Sequence, residues 1–276
     1  NVTVRSYGEF TYRGKDPERD SGKGPAQASV PGLEGFIDTS YPSWDLTIPD
    51  NRRVDVWLEG FRKFEAEGGL PALSIIRLPN DHTSGTKPGA WTPRAMVADN
   101  DLALGRLVEA ITKSAFWKDS AIFVLEDDAQ DGPDHVDAHR SPALVLSPYA
   151  RRGQVDSTLY TTSGILRTIE LILGLEPMSQ YDASAAPLYG AFLKEPDFKP
   201  FEHRPSRISL EERNAEGAYE AALSETFDLR EADRVPMRQM NAVLWGSVRG
   251  ADTPMPPPVR SAFVSSRAAE DPEGED

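Results

Sequence analysis

One loop gathers most of the side chains in this sequence that can do chemistry. Between the apolar runs Ala121–Leu125 and Ala143–Leu146 lie Glu126, Asp127, Asp128, Asp131, Asp134 and Asp137, with His135 and His139. Carboxylates this dense repel one another unless cations neutralise them. Asp and His at such spacing suit a divalent transition metal such as zinc or manganese; the plain alternative, in so acidic a chain, is a solvated surface loop. A second acid–imidazole pair, Asp81-His82, follows the apolar run Leu73–Arg77, with the hydroxyls of Thr83, Ser84 and Thr86 beside it.

Asp127 and Asp128 are the first candidates for metal ligands and Asp81 the next, with a turn or cap role as the alternative for Asp81. His82, His135 and His139 could ligate the ion or protonate a leaving oxygen, and position alone does not separate these tasks. One of the hydroxyls could be a nucleophile, although Ser and Thr in a glycine-containing turn are ordinary. Arg140 could clamp a phosphate or make a structural ion pair. His203, in a polar Pro-rich stretch, reads as solvated.

The elements that must position these residues are legible from pattern. The runs at 121–125 and 143–146 are continuous rather than alternating, so they read as strands buried on both faces in a parallel sheet, and 73–77 reads as a short apolar strand of the same sheet. An open α/β sheet places its site at the carboxyl ends of such strands, where both acid–imidazole groups fall. Residues 1–12 alternate as a strand and loop, and 13–50, rich in Gly and Pro, read as a long surface excursion covering the site. Helices are expected from about Arg52 to Glu67, stopped by Gly68-Gly69; from Thr92-Pro93 to about Lys113; and from a Thr162 cap to Gly174. Further helices are expected near 209–222 and 231–245, and a Pro-rich acidic tail from 252.

The totals bound the function classes. A chain of 276 residues with 39% hydrophobic and 27% charged residues is that of a globular protein with polar extensions. A net charge of −14 argues against binding the nucleic-acid backbone, yet not against a phosphate substrate, because a bound metal reverses the sign locally. With no cysteine, any metal must be held by oxygen and imidazole. No apolar run has the length of a membrane span. The start at Asn1, inside a strand-like Val-Thr-Val, reads as a processed chain or a fragment.

Several segments, in order, resemble the phosphoesterase branch of the alkaline phosphatase superfamily, the group of bacterial phospholipases C and related acid phosphatases. They are Pro-Asn-Asp-His (79–82), Ala-Leu-Gly-Arg-Leu-Val-Glu-Ala-Ile (103–111), Phe-Trp-Lys-Asp-Ser-Ala-Ile-Phe-Val-Leu-Glu-Asp-Asp (116–128), Asp-His-Val (134–136), Pro-Ala-Leu-Val-Leu-Ser-Pro-Tyr-Ala (142–150) and Leu-Arg-Thr-Ile-Glu (166–170). Leu-Glu-Glu-Arg-Asn (210–214) and Leu-Trp-Gly-Ser-Val-Arg-Gly (244–250) look like a subgroup that often carries a β-propeller ahead of this domain.

The resemblance implies an α/β/α sandwich with a mostly parallel sheet. It also implies hydrolysis of phosphate esters with a divalent ion (zinc, manganese or calcium) and a Ser or Thr nucleophile. It puts Asp127 on a metal-ligand Asp with Asp128 as its acidic neighbour, His82 on an active-site His, and His135 on the His of Asp-His-Val. It further implies a periplasmic or secreted location. The family's early Glu-Asn-Arg metal motif and its nucleophile have no counterpart near the start of this chain. Residues 1–200 are therefore expected to be the C-terminal part of the catalytic domain and 201–276 a helical extension and tail. The missing half of the site would come from an N-terminal segment or propeller-bearing part of the same precursor. A non-catalytic remnant that binds a partner or phosphorylated ligand is the alternative, and a sulfatase or phosphonate hydrolase on the same scaffold is a third reading.

Overall fold

The computed structural model describes residues 2–15, 24–130, 132–154 and 156–260. Asp131 of the acidic loop and the tail from 261 onward lie outside the described residues. The chain mixes strands β1 (Val4–Tyr7), β2 (Thr11–Arg13), β3 (Ala26–Ala28), β4 (Leu73–Ile76), β5 (Ile122–Leu125) and β6 (Ala143–Leu146) with helices α1 (Asp50–Glu67), α2 (Pro93–Lys113), α3 (Thr162–Leu173), α4 (Gln180–Ser184), α5 (Ala221–Glu225) and α6 (Met237–Arg249). This is an α/β chain. It divides into two units, one of residues up to Pro79, Asp99–Val124 and Leu144–Ser206, the other of Asn80–Ala98, Leu125–Ala143 and residues from Arg207 on. No helix among the described residues is long and apolar enough to cross a membrane.

Among the described residues the strands form three two-stranded sheets rather than one. β1 and β4 pair in parallel, Val4 opposite Leu73 through Tyr7 opposite Ile76, and β2 and β3 pair antiparallel. β5 pairs with β6. The expectation that these runs are buried on both faces is not met. β5 is half-buried throughout and the first two residues of β6 are exposed, because each strand has one paired neighbour and therefore an open edge.

Local signals set the helix ends. α1 stops at Gly68, whose φ of 74 admits a left-handed turn and whose N–H bonds the Phe64 carbonyl. Pro93 opens α2, and the Thr92 hydroxyl accepts from the Ala95 N–H at 3.3 Å. α3 is capped by Thr161, one residue earlier than the sequence pattern implies, its side chain accepting from the Gly164 N–H, and ends at left-handed Gly174.

In the first unit α1 and α2 present stripes at helical spacing (Val54, Trp57 and Phe61; Ala103, Leu107 and Ile111) to a core shared with Tyr7, Tyr41 and Trp117. Trp57 stacks on Phe61 with centroids 4.6 Å apart. Tyr41 belongs to the stretch expected to run over the surface. It is instead fully buried, edge-on to Tyr7, its hydroxyl donating to the Arg77 carbonyl at 2.8 Å. The loop holding it is fastened by Arg53 of α1, which donates to the carbonyls of Pro42, Ser43 and Asp45 and pairs with buried Asp50 at 3.1 Å. His203 is not simply solvated: its backbone N–H and its Nδ1 both bond the Glu109 carboxylate on α2.

In the second unit α6 packs Met240 and Val243 against Phe227 and Val235. The helix expected near 209–222 is absent apart from α5, since residues 212–214 are spent on non-local pairing. Glu212 O accepts from Thr92 N, Asn214 N donates to Ala90 O, and Gly89 N donates to Asn214 O. α6 begins after Pro236 and extends past the expected end to Arg249.

Candidate functional site

The site lies in the second unit, built from the turn after β4 and the loop after β5. Pro79 ends the apolar run, and Asn80–His82 form a 3-10 turn that Thr83 closes by donating its N–H to the Asn80 carbonyl at 3.0 Å. Thr83 then takes a left-handed backbone, φ 61, and Gly85 repeats it at φ 58. A β-branched residue rarely adopts this conformation, and Thr83 holds it while buried. His82 Nδ1 donates to the Thr83 carbonyl at 3.2 Å. That bond fixes the ring tautomer and puts the lone pair on Nε2, the nitrogen that can accept a proton or bind a metal.

The two turns are within electrostatic reach of each other. The Asp81 carboxyl is pushed above its ordinary range by burial and by the charge of Asp127, while His82 acts in the opposite sense. Glu126 is raised by burial and by Asp81 and Asp127. Asp128 is raised by burial, by Asp233 and Asp127, and by a hydrogen bond with Asp233. Asp127 itself is exposed, and accepts from the Asp128 N–H at 3.2 Å. Asp81, His82, Glu126 and Asp127 thus form one electrostatic cluster, with Asp128 and Asp233 at its side.

The rest of the loop is braced internally. Asp134 accepts from the N–H groups of Val136 and Asp137 and takes Arg140 in a fork at 2.8–3.1 Å; these bonds hold its carboxyl below the usual range. His139 Nδ1 donates to buried Asp137 at 2.7 Å. His135 is exposed. The loop also pairs with the chain near 259, where Ala138 N donates to Val259 O and Val259 N to Asp134 O. The structure therefore sets Asp81 within electrostatic reach of Asp127, with His82 its neighbour in the turn, holds Arg140 in a salt bridge, and gives His139 an orienting carboxylate. Thr86 is committed to structure, its hydroxyl donating to the Tyr219 carbonyl at 2.5 Å.

Sequence reasoning named Glu126 among the loop acids but gave it no role. It missed Asp233, which no motif marks, because it reaches Asp128 from a stretch far along the chain. Among the described residues, no three His, Asp or Glu side chains converge as a set that would hold a metal ion. The donors nevertheless fit a divalent cation in kind. They are oxygen and imidazole, and the raised carboxyls of Asp81, Glu126 and Asp128 are groups whose ionised forms a nearby positive charge would favour.

No curated protein matches this chain. The model of the phosphoesterase family matches residues 27–176, more than half of the 276 and the stretch that holds both turns of the cluster. The chain belongs to the phosphoesterase family, and so to a class of hydrolases that act on phosphate esters.

Proposed function

We propose that this chain carries part of the active site of a metal-dependent phosphoesterase built on an alkaline phosphatase-like sandwich. What supports the reading is the family match over residues 27–176, together with Asp81 and Asp127, carboxylates that follow two different strands and lie close enough for the Asp127 charge to help raise the Asp81 carboxyl. Asp81, Asp127 and Asp128 would hold a divalent ion such as zinc, manganese or calcium. Bound there, the ion would draw charge from a phosphoryl oxygen and favour an oxyanion nucleophile. His82, with its lone pair on Nε2, takes or gives a proton at the reacting oxygen, or ligates. His139, oriented by Asp137, and exposed His135 are the second proton-transfer candidates. Arg140 forks onto Asp134 through Nε and Nη2, so a phosphate would meet its Nη1 side. A complementary set of ligands, with the nucleophile, comes on this reading from a further segment or chain. Work on secreted or periplasmic esters suits the resemblance.

The test uses the metal-stripped chain. Zinc or manganese raises its melting temperature, and Asp127→Ala loses that response; in the full-length precursor the same ions confer turnover of p-nitrophenyl phosphate, which Asp127→Ala abolishes. An ion-dependent rise in melting temperature that survives in Asp127→Ala would refute the ligand assignment. One observation favours a second reading, a non-catalytic binding module: the described donors do not close on a point. Metal-independent binding of phosphorylated ligands, equal in the wild type and Asp127→Ala, would decide for it.

A further inference from the structure

We propose that Asn214 is a positioning residue for His82, acting through the strained turn that separates them. Asn214 is buried, and its side-chain Nδ2 lies 3.2 Å from the Gly85 carbonyl, 3.1 Å from that of Lys87 and 3.1 Å from that of Trp91. Two N–H protons serve three acceptors, so this one amide ties down both ends of the loop that follows His82. Its own backbone is fixed by the bonds to Ala90 and Gly89. Its neighbours lock the register on either side: the Arg213 guanidinium lies 3.8 Å over the Trp91 ring, and Glu212 takes Arg94 in a fork at 2.8–3.0 Å.

The path from Asn214 to the imidazole has three hydrogen bonds. Asn214 holds Gly85 O, Gly85 N donates to the Thr83 hydroxyl at 3.2 Å, and the Thr83 carbonyl receives His82 Nδ1 at 3.2 Å. The two left-handed residues, Thr83 and Gly85, sit inside this path. A left-handed Thr persists only where its surroundings over-determine it. Ser224 supplies the second anchor: fully buried, it accepts the Thr86 N–H at 3.0 Å, and a Cβ at Gly85 would meet its Oγ at 2.8 Å. With the clamp removed, Thr83 relaxes to negative φ, and its carbonyl swings away from Nδ1. The imidazole then loses the bond that selects its tautomer. The sequence pattern Leu-Glu-Glu-Arg-Asn thereby acquires a physical task, to hold a histidine that lies more than a hundred residues earlier.

The inference rests on His82 belonging to the working site, but its test does not need turnover. In the isotope-labelled chain, nitrogen-15 correlations of the imidazoles report the tautomer of each histidine, with His82 assigned by its disappearance in His82→Gln. The wild type is expected to show His82 as the single Nδ1–H tautomer. Asn214→Ala, with unchanged far-ultraviolet dichroism, is expected to show a mixed-tautomer pattern at His82 alone, leaving His135, His139 and His203 as they were. Ser224→Ala should move His82 in the same direction, and Arg213→Ala, which removes a bond to the Gly89 carbonyl but none on the path from Asn214 to His82, should not. An Asn214 that only stabilises the fold would lower the melting temperature without altering His82, and that result would overturn the proposal. If Asn214→Ala does not fold, an unaltered His82 in folded Ser224→Ala overturns it equally. Where the wild type turns over p-nitrophenyl phosphate, Asn214→Ala lowers kcat about tenfold or more with little change in KM. Absence of turnover in the wild-type full-length precursor would count against the hydrolase reading and leave the tautomer result to decide the clamp.

Discussion

At the scale of single residues the cluster is a place where the fold works against itself. Asp81, Glu126 and Asp128 are each held above their ordinary carboxyl range, burial being the leading cause and neighbouring carboxylates the next. A carboxyl raised on folding binds its proton more tightly in the native state than in the unfolded one. Its penalty is therefore absent below the unfolded values of 3.8 for Asp81 and 4.5 for Glu126, grows as pH rises through the higher folded values, and is complete above them. Asp81→Asn removes one of the charges and relieves its neighbours. The variant is expected to melt at a higher temperature than the wild type at pH 7 in the absence of metal, with the difference shrinking toward pH 4. Paired thermal melts at the two pH values measure it, and a variant no more stable at pH 7 contradicts the electrostatic account. Divalent ions should narrow the gap by stabilising the wild type alone. The positions of these residues after strands were readable from the sequence. Asp81-His82 and Asp127 each follow an apolar run that does form a strand, but the single sheet expected to gather those strand ends is not among the described residues, where β4 and β5 pair with different partners. Arg140 shows the limit, because its capture by Asp134 depends on loop geometry over six residues that no periodicity encodes.

At the scale of elements, local chemistry was legible and non-local chemistry was not. Gly68, Gly174 and Thr92-Pro93 end or begin helices through bonds made within a turn of their own position, so pattern alone places them. Residues 209–220 carry a helical composition, but backbone groups of Glu212, Asn214 and Tyr219 bond to residues 86–92, partners that sequence spacing does not reveal. The same contrast sets the expected effect of two substitutions. Thr161→Ala removes a single cap bond on α3 and should cost about 1 kcal/mol, read from denaturant melts. Arg53→Ala should cost more, roughly 3–5 kcal/mol, because it leaves buried Asp50 without its cation and frees three loop carbonyls at once. Equal effects of the two would mean that the buried pair does not hold the 42–45 loop.

At the scale of the whole molecule, the net charge of −14 confronts an anionic substrate. The field of that charge opposes the approach of a phosphate monoester, while an ion held by Asp81 and Asp127 would attract it at short range. Salt separates the two effects by distance. At about 10 mM ionic strength the screening length is roughly 30 Å, and charge over the whole surface is felt; at about 150 mM it is roughly 8 Å, and only groups beside the site remain. Screening therefore removes more repulsion than attraction. For the active, metal-loaded enzyme, kcat/KM toward p-nitrophenyl phosphate should rise between these ionic strengths, through faster association rather than a change in the chemical step. A zwitterionic ester such as p-nitrophenyl phosphorylcholine, with little net charge to repel, should respond far less. A fall in kcat/KM for the anionic ester would mean that local positive charge at the site outweighs the acidic surface even at long range.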